Sequence, residues 1–310
     1  MKLTVAICTW NRSRLLDETL AGLRAVRVPD GVRWEVLVVN NNSTDDTERV
    51  LDRHADSLPL RRLVETQQGH SHARNCALDN TDADWVVWTD DDVIVSENWL
   101  ASFAETARRH PQAAAVGGPI DPWFPVEPAP ELLEAFPVLR GGFIGIDYGP
   151  DERPLAADEP IWGANMAYQT AKVRGLRFNP DLGRVKNALV SGDDADFLAR
   201  VRDTGAPVFY SPGMRLKHYV DPKRMTEEYL LGFYEGLGVT TARMTKIFTE
   251  RRLFGFPLWV VRRFVESGFA AQYHRLRGHT VQRLTSLREY RRCKGILKGV
   301  MAARRTHAKT

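Results

Sequence analysis

The sequence predicts an α/β fold with a mainly parallel central sheet, and three observations carry that expectation. Short apolar runs alternate with amphipathic stretches at a spacing of about 25 residues, the pattern of βαβ units. Polar and glycine residues cluster after each run, so parallel strands would bring those clusters to one sheet edge. The run Trp85-Val86-Val87-Trp88-Thr89 ends abruptly in Asp90-Asp91-Asp92. Three carboxylates at the end of a buried strand lie where open α/β sheets place their ligands.

The elements follow in order. Leu3 to Thr9 reads as a first buried strand. Ser13 is a candidate N-cap, and Leu15, Leu16, Leu20 and Leu23 form the apolar stripe of the helix behind it. Pro29-Asp30-Gly31 marks a turn, and Trp34 to Val39 a second strand. Asn40-Asn41-Asn42 ends it, with Ser43 and Asp46 at capping-box spacing. A third strand spans about Leu60 to Val64, and Gly69 to Leu78 enters a helix that carries Arg74 and Asn75. The fourth strand runs into Asp90. A helix from about Glu97 to Arg109 and an apolar run over Ala113 to Val116 follow.

Residues 119 to 160 hold 9 of the 17 prolines. That stretch reads as an irregular substrate loop or a surface insertion. Order returns over Ile161 to Tyr168. Ser191 looks like the N-cap of a helix that begins Gly192-Asp193-Asp194-Ala195-Asp196 and runs through Arg202. Met214 to Val220 is strand-like and carries His218, and a further helix starts at Thr226.

Composition sets bounds. An apolar fraction of 43% and a charged fraction of 26% are those of a soluble globular protein. Cys8, Cys76 and Cys293 show no metal-ligand spacing and fit a reducing, cytoplasmic compartment. The opening residues read as too short for a signal peptide, and no apolar run reaches membrane-spanning length. From Arg243 to Thr310 there are 17 Lys/Arg against 3 Asp/Glu, a balance of +14, whereas the whole chain carries +4 and its first 242 residues therefore −10. A basic tail on an acidic body suggests an anionic contact. Leu253 to Val265, apolar and aromatic with an arginine pair, has the composition of an interfacial helix or of a helix packed on the main domain. No nucleic-acid module accompanies the charge.

The aspartates carry the chemistry. Side chains alternate along a strand, so Asp90 and Asp92 share one side and Asp91 faces the other. Adjacent carboxylates repel. A buried cluster calls for a hard cation such as Mg2+ or Mn2+, normally shared with substrate phosphates. A solvated acidic turn is the plain alternative.

Thr9-Trp10-Asn11-Arg12, Val38-Val39-Asn40-Asn41-Asn42-Ser43-Thr44-Asp45, Ala73-Arg74-Asn75, Thr89-Asp90-Asp91-Asp92, Gly163-Ala164-Asn165-Met166 and Gly192-Asp193-Asp194-Ala195-Asp196 together resemble the family 2 glycosyltransferases, in that family's order, from residue 3 to about residue 235. The resemblance implies a GT-A fold and an inverting transfer of a sugar from a UDP-, dTDP- or GDP-sugar to a glycan, glycolipid or small-molecule hydroxyl. It implies a Rossmann-like nucleotide-sugar half over 1–118, an acceptor and catalytic half over 119–242, and leaves 243–310 as a basic helical extension. By the same resemblance Asp92 is the main ligand of Mn2+ or Mg2+. Asp90 contacts ribose or metal shell, Asp91 is the less certain member, and His218 is a further ligand candidate.

Thr9, Trp10, Arg12, Asn40, Asn42 and Arg74 would hold the nucleotide, Trp10 by stacking on the base. Asn40 departs from the family pattern, where Asp is frequent, and leaves the base open. Asp194 would be the general base, with Asp193 as its alternate, and Trp162, Asn165 and Asp196 would meet the acceptor. Two rivals remain at this point. A nucleotidyltransferase would want a Gly-rich basic loop where Thr-Trp-Asn-Arg stands, and a non-catalytic sugar-nucleotide or lipid-binding protein would not need the acids. The basic tail would bring the chain to the inner face of an anionic membrane as a peripheral protein.

Overall fold

A computed structural model describes residues 1–182, 192–244 and 251–307. The expected α/β architecture is what it contains. Strand β1 (Lys2–Thr9), helix α1 (Ser13–Leu23), β2 (Arg33–Asn40), α2 (Thr47–His54), β3 (Leu60–Val64), α3 (His70–Asp79) and β4 (Trp85–Asp90) alternate as the periodicity predicts. β5 (Val93–Val95), α4 (Trp99–Arg109), β6 (Ala115–Gly117) and β7 (Ile120–Trp123) follow. Next come α5 (Pro130–Glu134), α6 (Phe136–Leu139), β8 (Arg153–Pro154), β9 (Asn165–Gln169), α7 (Asp193–Arg202), β10 (Val208–Tyr210) and β11 (Leu216–Tyr219). The chain continues through α8 (Glu227–Met244), β12 (Arg252–Leu253), β13 (Phe256–Pro257), α9 (Leu258–Leu276) and α10 (Thr280–His307).

The main sheet has the order β3-β2-β1-β4-β9-β6-β10-β8. β3, β2, β1 and β4 are mutually parallel, and β9 is antiparallel to both β4 and β6. Its central strands are apolar on both faces because each face is covered. Leu3, Val5, Ile7, Val36, Val38, Trp85 and Val87 pack to one side with Leu16, Leu20, Trp99 and Phe103. Ala6, Leu37, Val39, Val86 and Trp88 pack to the other with Ala73, Tyr168, Phe178 and Phe197. A second sheet, β5-β11-β7, carries His218 beside the end of β4.

By contacts the chain forms two compact units. Among the described residues the first holds 1–123, 145–182 and 192–219, and the second holds 124–144, 220–244 and 251–307. The sequence expectation placed a division at 242, but residue 242 lies within α8, and α8 belongs with α10. Gly295 on α10 shows how close those helices run: a Cβ there would sit 1.9 Å from the Glu235 carbonyl oxygen. The proline-rich stretch is not a bare loop. Leu132, Ala135, Leu139 and Phe143 from it share a core with Leu230, Tyr234 and Leu284 of the second unit.

Local caps differ from expectation. Ser13 is the first residue of α1, not its cap; its N–H donates to Asp45 Oδ2 (2.8 Å) from the loop after β2. Asp45, rather than Ser43, also accepts from the Thr47 N–H (3.2 Å) at the start of α2. Ser191 lies outside the described residues.

Candidate active site

All the side chains below belong to the first unit. β1, β2 and β4 are parallel and in register, with Thr9 opposite Asn40 and Cys8 opposite Asp90. Register therefore delivers the loops after these strands to one edge, as the polar clusters predicted.

Asp91 and Asp92 are nearly inaccessible, and Asp90 is half-buried. The acids divide as strand alternation suggested. Asp91 turns towards the first loop, where Thr9 Oγ1 donates to its Oδ2 (2.8 Å) and Arg12 Nη1 to its Oδ1 (3.0 Å). Arg12 Nη1 also donates to Asp92 Oδ2 (2.7 Å). Asp90 Oδ2 and Asp92 Oδ1 each lie 3.3 Å from Nε2 of His218.

The tautomer of His218 follows from its other nitrogen. Nδ1 lies 2.9 Å from the carbonyl oxygen of Tyr219, which can only accept, so Nδ1 carries a hydrogen. Nε2 then faces two carboxylates with a lone pair unless a proton or a cation sits between them. Burial opposes a charge on His218, but the carboxylates of Asp92 and Asp90 outweigh it and hold its pKa above the ordinary value. Burial likewise disfavours an ionised Asp90, yet the His218 contact holds its carboxyl below the usual range. Asp91, buried and beside Asp92, is pushed up despite Arg12.

This corner fits a divalent cation. Asp90, Asp92 and His218 each offer one ligand atom, all within 4.8 Å of one another. Asp92 Oδ1 is buried and accepts no hydrogen bond. A carboxylate oxygen without a hydrogen bond at such a depth is costly, and an ion held jointly with Asp90 and Nε2 would satisfy it. Two carboxylates and a neutral imidazole are a donor set for a divalent ion.

Around the nucleotide positions the picture is mixed. Trp10 is 46% exposed just past β1, so it is not a core residue and its ring is open for stacking. Asn11 beside it has φ +52° and accepts from the Thr44 N–H (2.7 Å), which ties this loop to the loop after β2. Asn40 is engaged at both ends: Nδ2 donates to Glu48 Oε1 (2.6 Å), and Oδ1 accepts from the Ser43 N–H (2.9 Å). Asn42 donates to the Thr66 carbonyl. Thr9 and Asn40 therefore brace their loops, whereas the sequence had them facing the nucleotide.

Arg74 is also placed differently from expectation. It is buried on α3, over the rings of Phe178 (5.0 Å) and Trp88 (5.9 Å). Its Nη1 donates to Asp193 Oδ2 (3.1 Å) and to Asp194 Oδ1. Ser71 Oγ donates to the same Asp193 oxygen (3.2 Å). Asp193 is wholly inaccessible, while the Asp194 side chain keeps 28% exposure. The Gly163 N–H donates to Asp194 Oδ2 (3.1 Å). A Cβ on Gly163 would sit 2.1 Å from Arg74 Nη2 and 2.5 Å from Asp194 Oδ2, so any side chain there would push Arg74 and Asp194 out of this junction. Sequence reasoning missed Ser71 and the Gly163 amide. The one signal for the latter was a glycine just ahead of a strand, next to the helix-start acids in function but 31 residues away in sequence.

Asn165, expected to meet the acceptor, is a correction. It is fully buried. Its Oδ1 accepts from Trp99 Nε1 (2.8 Å), and its Nδ2 donates to the carbonyls of Pro119 (2.9 Å) and Met214 (2.7 Å). It pins β9 to α4 and to the loops flanking the small sheet. Trp162 is half-buried nearby in the chain, and Asp196 pairs with Arg200 (2.6 Å) on the exposed side of α7.

The mainly parallel sheet, with Asp90, Asp92 and His218 at its strand ends and Asp193 and Asp194 held by Arg74, has the GT-A architecture. Residues 4–123 match the model of glycosyl transferase family 2. Over 220 residues it is 29% identical to the succinoglycan biosynthesis protein ExoM of Rhizobium meliloti, covering 68% of this chain and 65% of the relative, just under two thirds of its length. It is 24% identical to a glucosyl-dolichyl phosphate glucuronosyltransferase of Haloferax volcanii, over 76% of this chain and 75% of that one. Among solved structures, a mannosyltransferase from Pyrobaculum calidifontis in complex with GDP-Man and Mn2+ superposes with a TM-score of 0.63 at 19% identity, covering 97% of this chain and 87% of that one. S. aureus TarS 1-349 in complex with UDP superposes with a TM-score of 0.55 at 17% identity, covering 100% and 92%. At these identities the two structures establish the shared fold.

Proposed function

We propose that this protein is an inverting, metal-assisted glycosyltransferase that moves a sugar from a nucleoside diphosphate sugar to an acceptor hydroxyl. The observation that carries the reading is the convergence of Asp90, Asp92 and His218 at the end of β4, with one buried carboxylate oxygen left without a hydrogen bond. A divalent cation held there would neutralise charge that develops on the departing diphosphate. The chain's own residues do the rest. Arg12 and Thr9 fix Asp91 and Asp92 from the first loop, and Trp10 offers a stacking face to the base. Residues 1–118 would hold the donor.

Asp194 is the general base of this proposal. Asp193 has no accessible surface and serves as a counter-charge, so the exposed carboxylate is the one able to reach an acceptor proton. Arg74 and the Gly163 amide each hold one oxygen of Asp194, which fixes its orientation for proton transfer. Trp162 and Asp196 remain candidates for the acceptor side.

UDP-, dTDP- and GDP-sugars all fit this reading as donors, and Mn2+ or Mg2+ as the ion. A glycan, a small molecule or a lipid-linked sugar fits as acceptor, the last in keeping with a relative that is a glucosyl-dolichyl phosphate glucuronosyltransferase. Among the described residues no helix is long and apolar enough to cross a membrane. Peripheral attachment to an anionic membrane through the basic C-terminal segment, at its inner face, belongs to the proposal.

The test is a panel of nucleotide sugars with and without Mn2+, read by thermal shift and by slow donor hydrolysis. One donor class should stabilise the protein only when metal is present. Stabilisation by none of them, or equal stabilisation without metal, would remove the reading.

A further inference from the structure

The C-terminal unit exposes an apolar surface that packing leaves uncovered. α9 buries Val260, Ser267 and Ala271. At about 100° per residue these three lie on one side of the helix. Leu258, Val265, Phe269, Tyr273 and Leu276 lie on the opposite side, within about 80° of one another. All five are exposed, Phe269 at 76% and Leu276 at 87%. Exposed Arg262 is the charged residue within this second, otherwise apolar face, and among the described residues packing covers only the first.

A second observation stands just ahead of it. β12 and β13 form a two-stranded hairpin whose turn is Phe254-Gly255. Both residues have positive φ, +48° and +81°. Such turns favour Asn-Gly or Gly-Gly, and a bulky aromatic there is strained. Phe254 is nonetheless 88% exposed, with neighbouring Leu253 also exposed. A strained phenylalanine presented to solvent gains nothing from protein packing.

Charge selects the occupant. Residues 251–277 contain six arginines and one glutamate. Arg262 pairs with Glu266 on the helix, so that glutamate is already matched from within. A two-fold interface with a second copy would set these arginines against themselves. An anionic surface attracts them, while the aromatic and aliphatic side chains enter the headgroup region. Along its axis α9 is about 28 Å long, enough to lie in that plane over five turns.

We propose that the Leu258–Val265–Phe269–Tyr273–Leu276 face of α9, together with the Phe254 tip, docks on an anionic lipid bilayer. This deepens the peripheral-membrane part of the function proposed above and rests on it. The arginines draw the chain to the surface, and the apolar stripe holds it there.

The experiment is co-sedimentation of the full chain with phosphatidylcholine vesicles containing a quarter phosphatidylglycerol, and with pure phosphatidylcholine, across a salt series. Wild type should bind the anionic vesicles at low salt and release severalfold as salt rises. Phe269→Glu combined with Leu276→Glu, both at the surface, should lower partitioning at least about tenfold. Phe254→Asn relieves the turn, so it should weaken binding severalfold without lowering the melting temperature. Failure of wild type to bind anionic vesicles, or equal binding by the variants, overturns the proposal. So does a concentration-dependent dimer, seen by sedimentation velocity without lipid and abolished by Phe269→Glu, since a second copy would then own the face. Stabilisation by nucleotide sugars and Mn2+ is measured on the same samples. Its presence without vesicle binding rejects only this surface, and its absence with vesicle binding rejects only the enzymatic reading.

Discussion

Binding of Mn2+ should release a proton from His218, and the effect can be worked from the geometry. Nδ1 is committed to the Tyr219 carbonyl (2.9 Å), so Nε2 is the only ring atom that can take the metal. In the metal-free chain Asp92 and Asp90 raise the pKa of that ring against the opposing effect of burial. Metal and proton therefore compete for one lone pair. Below the His218 pKa each unit of pH should weaken Mn2+ binding about tenfold, or about 1.4 kcal/mol, and above it affinity should level off. The same shift bears on stability. A raised pKa contributes stability to the metal-free protein that is fully present below the unfolded histidine value of about 6.5 and is lost as pH rises through the folded value. Saturating Mn2+ should oppose that loss. The assay is calorimetric titration with Mn2+ from pH 5.5 to 8 in two buffers of different ionisation enthalpy, which counts protons released. His218→Gln should lower affinity by at least about 10–100-fold, the scale on which even outer-shell partners act, and flatten the slope. A variant that keeps the wild-type affinity and pH slope would refute the assignment of His218.

Three further outcomes follow from other parts of the site. Asp194→Asn should keep metal-dependent donor stabilisation but lose transfer or donor hydrolysis by about 10²-fold or more; that phenotype in Asp193→Asn, with Asp194→Asn active, would mean the neighbouring acid is the base. Asn165→Ala strands the Trp99 N–H and two buried carbonyls, so urea unfolding should show a loss of about 3–6 kcal/mol, and a loss under about 1 kcal/mol would contradict its role as a pin. Trp10→Ala should weaken metal-dependent binding of UDP, dTDP or GDP by the equivalent of about 1–3 kcal/mol, and unchanged affinity would remove stacking from its duties.

Much of this was legible in the sequence where burial dictates composition. β1, β2 and β4 are apolar on both faces, so they stood out as runs, and the acids that end β4 pointed to the end of a buried strand. α7 announced itself through acids in its first turn. The elements that escaped are short: β5 and β10 have three residues each, too few for any period to appear. α5 and α6 were hidden by prolines, which at N-terminal helix positions permit a helix rather than forbid it. The larger gaps concern partners distant in sequence. Arg74 reads as a cation near phosphate until the fold brings it to acids 119 and 120 residues away. Asn165 sits in a motif and reads as functional, yet its three hydrogen bonds all go to the scaffold. Polar residue type indicates that a hydrogen bond will be made, and only the structure tells with whom.

The most direct measurement compares wild type with Asp92→Asn in nucleotide binding. Each protein is titrated with UDP, dTDP and GDP, with Mn2+ and with chelator, and the dissociation constants are read by calorimetry. Wild type should bind one nucleotide tightly and only with metal, and Asp92→Asn should lose that metal-dependent gain. Equal metal-dependent binding by the two proteins would contradict a cation site built on Asp92.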